Sequence, residues 1–173
     1  GDIKVVLYPE YAPNAVKNFT DLAESGYYDN TYVFNSEPGV YFGAGSPNKN
    51  GDLNKDNEQA ALEYEQELHQ NLWPFKGALC SLTTSEEGGF WKKFKGESKI
   101  LNGSRFAVLN SVEFTEDLKK ELLESDKNTT LAEAFIEYGG CPSLSQKITV
   151  FGQTYEGFDV IDKLTSLEIT DSE

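Results

Sequence analysis

The chain of 173 residues contains no methionine, one histidine, His69, one arginine, Arg105, and two cysteines, Cys80 and Cys141. His69 stands on a polar approach to Trp73 and Pro74 without an obvious catalytic partner, so a surface or hydrogen-bonded structural role is expected of it. The two cysteines lack CxxC spacing and give no metal or redox motif. Two free or buried thiols are the expectation, and whether they pair stays open. Basic residues are scarce, 15 against 29 acidic ones, for a net charge of −14. That balance argues against nucleic acid as a partner, because phosphates would be repelled, and favours solubility or a basic partner. No apolar run is long enough to span a bilayer, and no signal peptide is visible. At 38% hydrophobic residues the chain can bury one good core, and residues 1–173 are read as a single domain.

What the chain does have is organised around the stretch from Gly26 to Pro47. Two aromatic and β-branched runs, Tyr32–Phe34 and Val40–Phe42, flank the turn dipeptide Pro38-Gly39, which reads as strand, sharp turn, strand. Before it, Ile3, Val5 and Leu7 alternate with Lys4, Val6 and Tyr8 as a strand with one face inward. Pro13 then opens a helix in which Val16, Phe19, Leu22 and Ala23 recur at helical spacing until Gly26 stops it. Asn48–Gln66 is polar and acidic. Asp52, Asn54, Asp56 and Glu63 fall on positions of a calcium-loop pattern, but Asn57 stands where its glycine belongs, and a solvated loop is favoured over a metal site.

Further along, Gly77–Leu82, Asn102–Leu109 and Ile148–Gly152 read as strands. Thr83–Leu101 reads as a long loop in which Gly88, Gly89, Phe90 and Trp91 form either a binding surface or a satellite cluster. Thr115–Cys141 holds two helical patterns, Thr115–Leu123 with Thr115 as its cap and Leu131–Ile136, both expected to lie on the sheet by their leucine and phenylalanine faces. Gly157–Leu164 reads as a further helix and Leu167–Ile169 as a last strand.

Gly26-Tyr27-Tyr28-Asp29, Pro38-Gly39, Gly45 and Pro47 resemble the cyclophilins, the family of peptidyl-prolyl cis–trans isomerases. The similarity continues through Gly1–Phe19, Lys76–Leu79, Asn102–Phe106, Val150–Gly152 and Glu156–Asp162, in the family's order. It implies a mostly β fold: a closed, eight-stranded antiparallel barrel with two capping helices, here with additions near residues 83–101 and 115–141. Gly1 falls at the start of what resembles the family's second strand, so upstream residues are expected to be missing. With the acidity, this suggests a location outside the cytoplasm.

The resemblance also implies a chemistry. Rotation about a peptide bond breaks its resonance at a barrier of about 18–20 kcal/mol, and the proline nitrogen regains its lone pair at the twisted transition state. A catalyst needs no cofactor, metal or nucleophile, only an apolar socket for the proline ring, a donor aimed at its nitrogen, and anchors for the flanking carbonyls. In cyclophilins an arginine in Phe-His-Arg is the donor.

Position by position, Asn35 stands for that arginine and Phe34 for the histidine. Val40, Tyr41 and Gly43 replace a phenylalanine, a methionine and a glutamine. Arg105 replaces a glutamine and Ala107 a phenylalanine, Leu144 retains a socket leucine, and Ile148 replaces a histidine. With Asn102 and Phe106 these residues make the expected groove, Asn35 and Arg105 being its candidate catalytic groups. Arg105 is read either as a partial substitute for the guanidinium or, preferentially, as a surface ion-pair partner. Space should open at Ala107 and Val40 unless Tyr41 or Phe34 fills it. The expected function is an isomerase-family domain of weak or no activity that binds an extended proline-containing peptide or protein partner, the alternative being an active isomerase with a non-standard site.

Overall fold

The computed structural model describes residues 1–52, 63–87, 99–125 and 129–167. Its strands are β1 (Lys4–Leu7), β2 (Tyr32–Glu37), β3 (Tyr41–Ser46), β4 (Tyr64–Glu65), β5 (Ala78–Glu87), β6 (Lys99–Leu109) and β7 (Val150–Glu156). The helices are α1 (Pro13–Glu24), α2 (Glu116–Ser125), α3 (Thr129–Tyr138) and α4 (Phe158–Thr165), with a 3₁₀ turn at Pro142–Leu144. The seven strands form one antiparallel sheet in the order β1-β7-β5-β6-β3-β2, with β4 paired on β6.

The mostly antiparallel β architecture with helices is therefore as expected, but closure is not seen. Among the described residues β1 pairs along β7 and β2 along β3, so each leaves an edge at opposite ends of the sheet. The last strand expected at Leu167–Ile169 lies largely outside the described residues, as do Asn54 and Asp56 of the calcium-loop pattern and the Gly88–Trp91 run. No group of residues able to hold a metal occurs among those described.

Local chemistry explains the element ends. Pro13 occupies the first turn of α1, where no N–H is needed, and Ala12 supplies no side-chain cap. The cap comes from a distance: the Glu67 carboxylate accepts from the backbone N–H groups of Asn14 (3.1 Å) and Ala15 (2.9 Å) and from the Asn14 side chain. A negative charge there also meets the positive end of the helix dipole. At the other end Tyr27 N–H reaches Leu22 O and Gly26 N–H reaches Ala23 O, a Schellman closure at the glycine. The Glu37–Val40 turn closes through Val40 N–H to Glu37 O at 2.9 Å, with Gly39 at φ +74°, the backbone that proline followed by glycine favours.

One face of the sheet meets α1 and α4. Val16, Phe42, Leu79, Val108, Phe151 and Ile161 are buried there, with Phe19 and Phe106 packed against them. The Tyr28 hydroxyl donates to Ser104 O at 2.8 Å and fastens the end of α1 to β6. Tyr64 on β4 shares a hydrogen bond with Ser81 on β5.

Two sequence expectations change. The long loop begins later than Thr83, because β5 runs on to Glu87 and pairs with Lys99–Leu101 of β6. Alternating Thr83, Thr84 and Ser85 suit a strand once an extended partner is available. The two added helices form as expected, with Leu118 N–H on the Thr115 hydroxyl oxygen at 3.3 Å, but only α3 buries residues fully, Ala132 and Phe135. The leucine face of α2 therefore does not reach the sheet core.

Candidate functional site

Pairing alternates the side chains of β3 and β6 between two faces. Phe42↔Val108 and Ala44↔Phe106 contribute to the core, so Tyr41↔Leu109 and Gly43↔Ala107 stand on the opposite face, with Arg105 beside them. On β2 the register slips, from Val33↔Ala44 to Asn35↔Gly43. Phe34 is the extra residue of this bulge, and both it and Asn35 come to the Gly43 side.

The ring of Phe34 is the centre of what results. A Cβ on Gly43 would sit 3.2 Å from its Cζ and 3.5 Å from Leu82, and a Cβ on Gly51 would sit 2.3 Å from its Cδ2. The ring thus rests between two glycines, and at Gly51, with φ +81°, any side chain would be both strained and in collision. Over the ring lies the Arg105 guanidinium, its Cζ 5.9 Å from the centroid. It donates from Nη1 to Gly51 O at 3.0 Å and from Nη2 to Thr83 O at 2.9 Å, while its buried Nε has no partner. Among the described residues Arg105 does not form the surface ion pair expected of it, because these two carbonyls hold its fork. Asn35 is exposed, and its amide donates to the Tyr41 hydroxyl at 2.9 Å.

Of the two ways the Ala107 region was expected to settle, the filled one is observed. Ala107 is 1% exposed, Gly43 is buried, and Phe34 lies on Gly43. Val40, Tyr41, Leu144 and Ile148 gather next to it over Cys80, Leu109, Cys141 and Val150. Both thiols are free, and burial pushes both up, Cys141 to about 11, which makes them poor nucleophiles at neutral pH.

Two residues of the expected groove leave this face. Asn102 is buried and donates to the Thr149 hydroxyl at 2.9 Å, and Phe106 packs among the rings of Phe19 and Tyr28, each 5.4 Å away. Alternation along β6 sends Phe106 to the side opposite Ala107. Sequence reasoning missed Leu82, Gly51 and the Thr83 carbonyl. Leu82 had a signal, its alternation along β5. Gly51 and the carbonyl had none.

As a surface the site offers an aromatic ring, apolar side chains and an exposed amide hydrogen-bonded to a phenol. Among the described residues it holds no nucleophile with an adjacent base. Its cation is engaged with backbone.

The whole chain, residues 1–173, matches the family model described as cyclophilin type peptidyl-prolyl cis–trans isomerase. A Streptococcus pyogenes protein named for two activities, bifunctional phosphatase/peptidyl-prolyl cis–trans isomerase, is 30% identical over 97% of this chain, which spans 33% of that protein's length. A Staphylococcus epidermidis protein named as a peptidyl-prolyl cis–trans isomerase is 28% identical over 98% of this chain and 78% of its own. Among solved structures, a Cryptosporidium parvum cyclophilin type isomerase, crystallised in the presence of the dipeptide Ala-Pro, superposes with a TM-score of 0.67 at 22% identity, covering 99% of this chain and 84% of that one. The fold, the order of motifs and the family match agree: the chain belongs to the cyclophilin-type peptidyl-prolyl cis–trans isomerase family.

Proposed function

We propose that residues 1–173 act as one cyclophilin-like domain that binds an extended proline-containing peptide or protein segment on the Phe34, Asn35, Tyr41 and Arg105 face, and that isomerises X-Pro bonds weakly or not at all. The observation that carries this reading is the state of the donors. The position that resembles the family's arginine is Asn35, a neutral amide already given to Tyr41, and the guanidinium nearby is spent on Gly51 O and Thr83 O. A hydrogen bond from a charged donor contributes about 1.5–3 kcal/mol, so its loss costs on the order of ten- to a hundredfold in rate. The filled region at Gly43 and Ala107 further reduces the apolar contact available to a proline ring.

The alternative, a working isomerase with a non-standard site, is favoured by one observation: Arg105 sits on this same face with its Nε unpartnered. A peptide that displaced Gly51 O would free Nη1 as a charged donor. Barrel closure belongs with the proposal. Thr165 O accepts from Gly39 N–H at 3.0 Å, so the chain leaves α4 beside the β2–β3 turn and the uncovered edge of β2. No cofactor, metal or nucleic acid enters this function. No helix among the described residues is long and apolar enough to cross a membrane. Exchange NMR of a proline peptide tests the reading. Exchange at the uncatalysed rate with binding at this face supports it, and strong acceleration supports the alternative.

A further inference from the structure

The Phe34 face already has an occupant, and it comes from this chain. Past the end of β3, residues 48–51 close a β-turn through Gly51 N–H on Asn48 O at 3.1 Å. The flanks of the turn are laced to each other: Asp52 O accepts from the Ser46 hydroxyl and from the Asn48 amide, both at 2.8 Å, and Asp52 N–H bonds the Asn50 side-chain oxygen at 3.0 Å. Lys49, Asn50 and Asp52 are exposed, whereas Gly51 is buried against the ring of Phe34. The Gly51 carbonyl accepts from Arg105 Nη1 at 3.0 Å.

Two features set this contact apart from ordinary packing. The residue on the ring is a glycine, at φ +81°, so it brings backbone and no apolar side chain to an aromatic face. The turn covers the ring while gaining little apolar contact from it. The guanidinium is also incompletely satisfied: Nη1 and Nη2 each have a carbonyl, but Nε is buried without a partner. A buried charged donor left without an acceptor is costly, so the covered arrangement is not the best that Arg105 can adopt. An extended peptide supplies the same carbonyl as Gly51 and adds what Gly51 lacks, a side chain to lie on the ring and further acceptors for the guanidinium.

We propose that residues 46–52 are an autoinhibitory strap: Gly51 takes the place of a bound peptide residue, its carbonyl on Arg105 and its backbone against the Phe34 ring, and an incoming segment displaces it. The inference rests on the peptide-binding role proposed above for this face and gives that role its regulation. Apparent affinity is then the affinity of the open face reduced by the fraction of molecules in which the turn is away. Loosening the turn at residues other than Phe34 and Arg105 therefore tightens peptide binding, the reverse of what loss of a merely structural contact does.

The test uses the full chain labelled with ¹⁵N and the capped peptide acetyl-Ala-Ala-Pro-Ala-amide. Arg105 is the only arginine, so its Nε–H gives a single signal that reports on the turn before any peptide is added. Two variants loosen the turn: Gly51→Ala, whose new Cβ collides with the ring, and Asn48→Ala, which removes a bond to Asp52 O and keeps Gly51. Exchange of the Arg105 Nε proton with solvent should quicken in both, about tenfold in Gly51→Ala, the effect of one charge-assisted hydrogen bond. The peptide, followed by shifts at Phe34 and Tyr41, should bind Gly51→Ala about tenfold more tightly than the wild type, and Asn48→Ala about twofold more tightly. Should Gly51→Ala fail to fold, Asn48→Ala decides alone. Unchanged Arg105 exchange in the variants overturns the strap. Peptide binding by the wild type with equal or weaker binding by the variants also overturns it, and leaves the peptide-binding role standing. Faster Arg105 exchange in the variants, with peptide bound by none of the three proteins, overturns the peptide-binding role and the strap with it.

Discussion

Arg105 and Glu67 show how single side chains hold this molecule in ways their neighbours in sequence do not announce. Arg105 ties Gly51 to Thr83 through two carbonyls, its guanidinium lying over the Phe34 ring. Arg105→Ala should therefore lower stability by about 2 kcal/mol, the scale of charge-assisted bonds at a half-buried site, read as a shift in the urea midpoint. A purely surface arginine would give nearly no change. Glu67 caps α1 from 52 residues away, on the backbone of Ala15. Glu67→Gln keeps an acceptor but removes the charge at the helix N-terminus, and a loss of about 0.5–1 kcal/mol is expected in the same measurement. Neither role was legible beforehand. The residue type at Ala12 signalled only that a cap was missing, and what fills the gap depends on how β4 and the strand after it bring Glu67 over the helix end.

At the scale of elements, legibility followed the range of the interaction that decides each feature. Pro13, Gly26, Pro38-Gly39 and Thr115 act on bonds within a few residues, and the helix starts, the turn and the cap all stand where those residues place them. Alternation along β6 groups Arg105 with Ala107 and sets Asn102 and Phe106 on the other face, where Asn102 bonds Thr149 and Phe106 packs on Phe19. The bulge at Phe34 was invisible because it is set by how β2 meets β3 across the pair, and a one-residue slip changes which side chain faces Gly43. The strand ends of β5 and β6 were misjudged for a related reason, since Thr83–Ser85 become strand only when Lys99–Leu101 lie alongside. The two added helices differ in how they are held. With no residue of α2 fully buried, against Ala132 and Phe135 in α3, the amides of α2 should exchange with solvent well before those of α3. Equal protection of both helices would show that α2 has a packing partner beyond α3.

For the whole molecule, the two groups of buried phenols and thiols set a boundary on the alkaline side. Burial raises Tyr28 and Tyr64 above the usual 10.0, Tyr64 to about 12 despite its hydrogen bond to Ser81, and raises Cys80 and Cys141 in the same sense. A group whose folded pKa lies above its unfolded one holds its proton more tightly when folded. Its contribution is complete below the unfolded pKa and is lost as pH rises towards the folded value. Denaturant midpoints should thus be level near neutrality and fall from about pH 9, where unfolded thiols ionise, through about 12, and Tyr64→Phe should lessen the fall above about pH 10. A flat profile through that range would contradict the burial assigned to these side chains.

The family model matches the whole chain, while on the face proposed to meet proline Phe34 lies against Gly43 and, among the described residues, the Arg105 guanidinium is held by Gly51 O and Thr83 O. The most direct measurement of that claim is two-dimensional exchange NMR on an Ala-Pro peptide in the presence of this protein. The account predicts cis–trans exchange at or close to the spontaneous rate, and no further loss in Arg105→Ala. Acceleration by several orders of magnitude, abolished in Arg105→Ala, would contradict it and make Arg105 the catalytic donor.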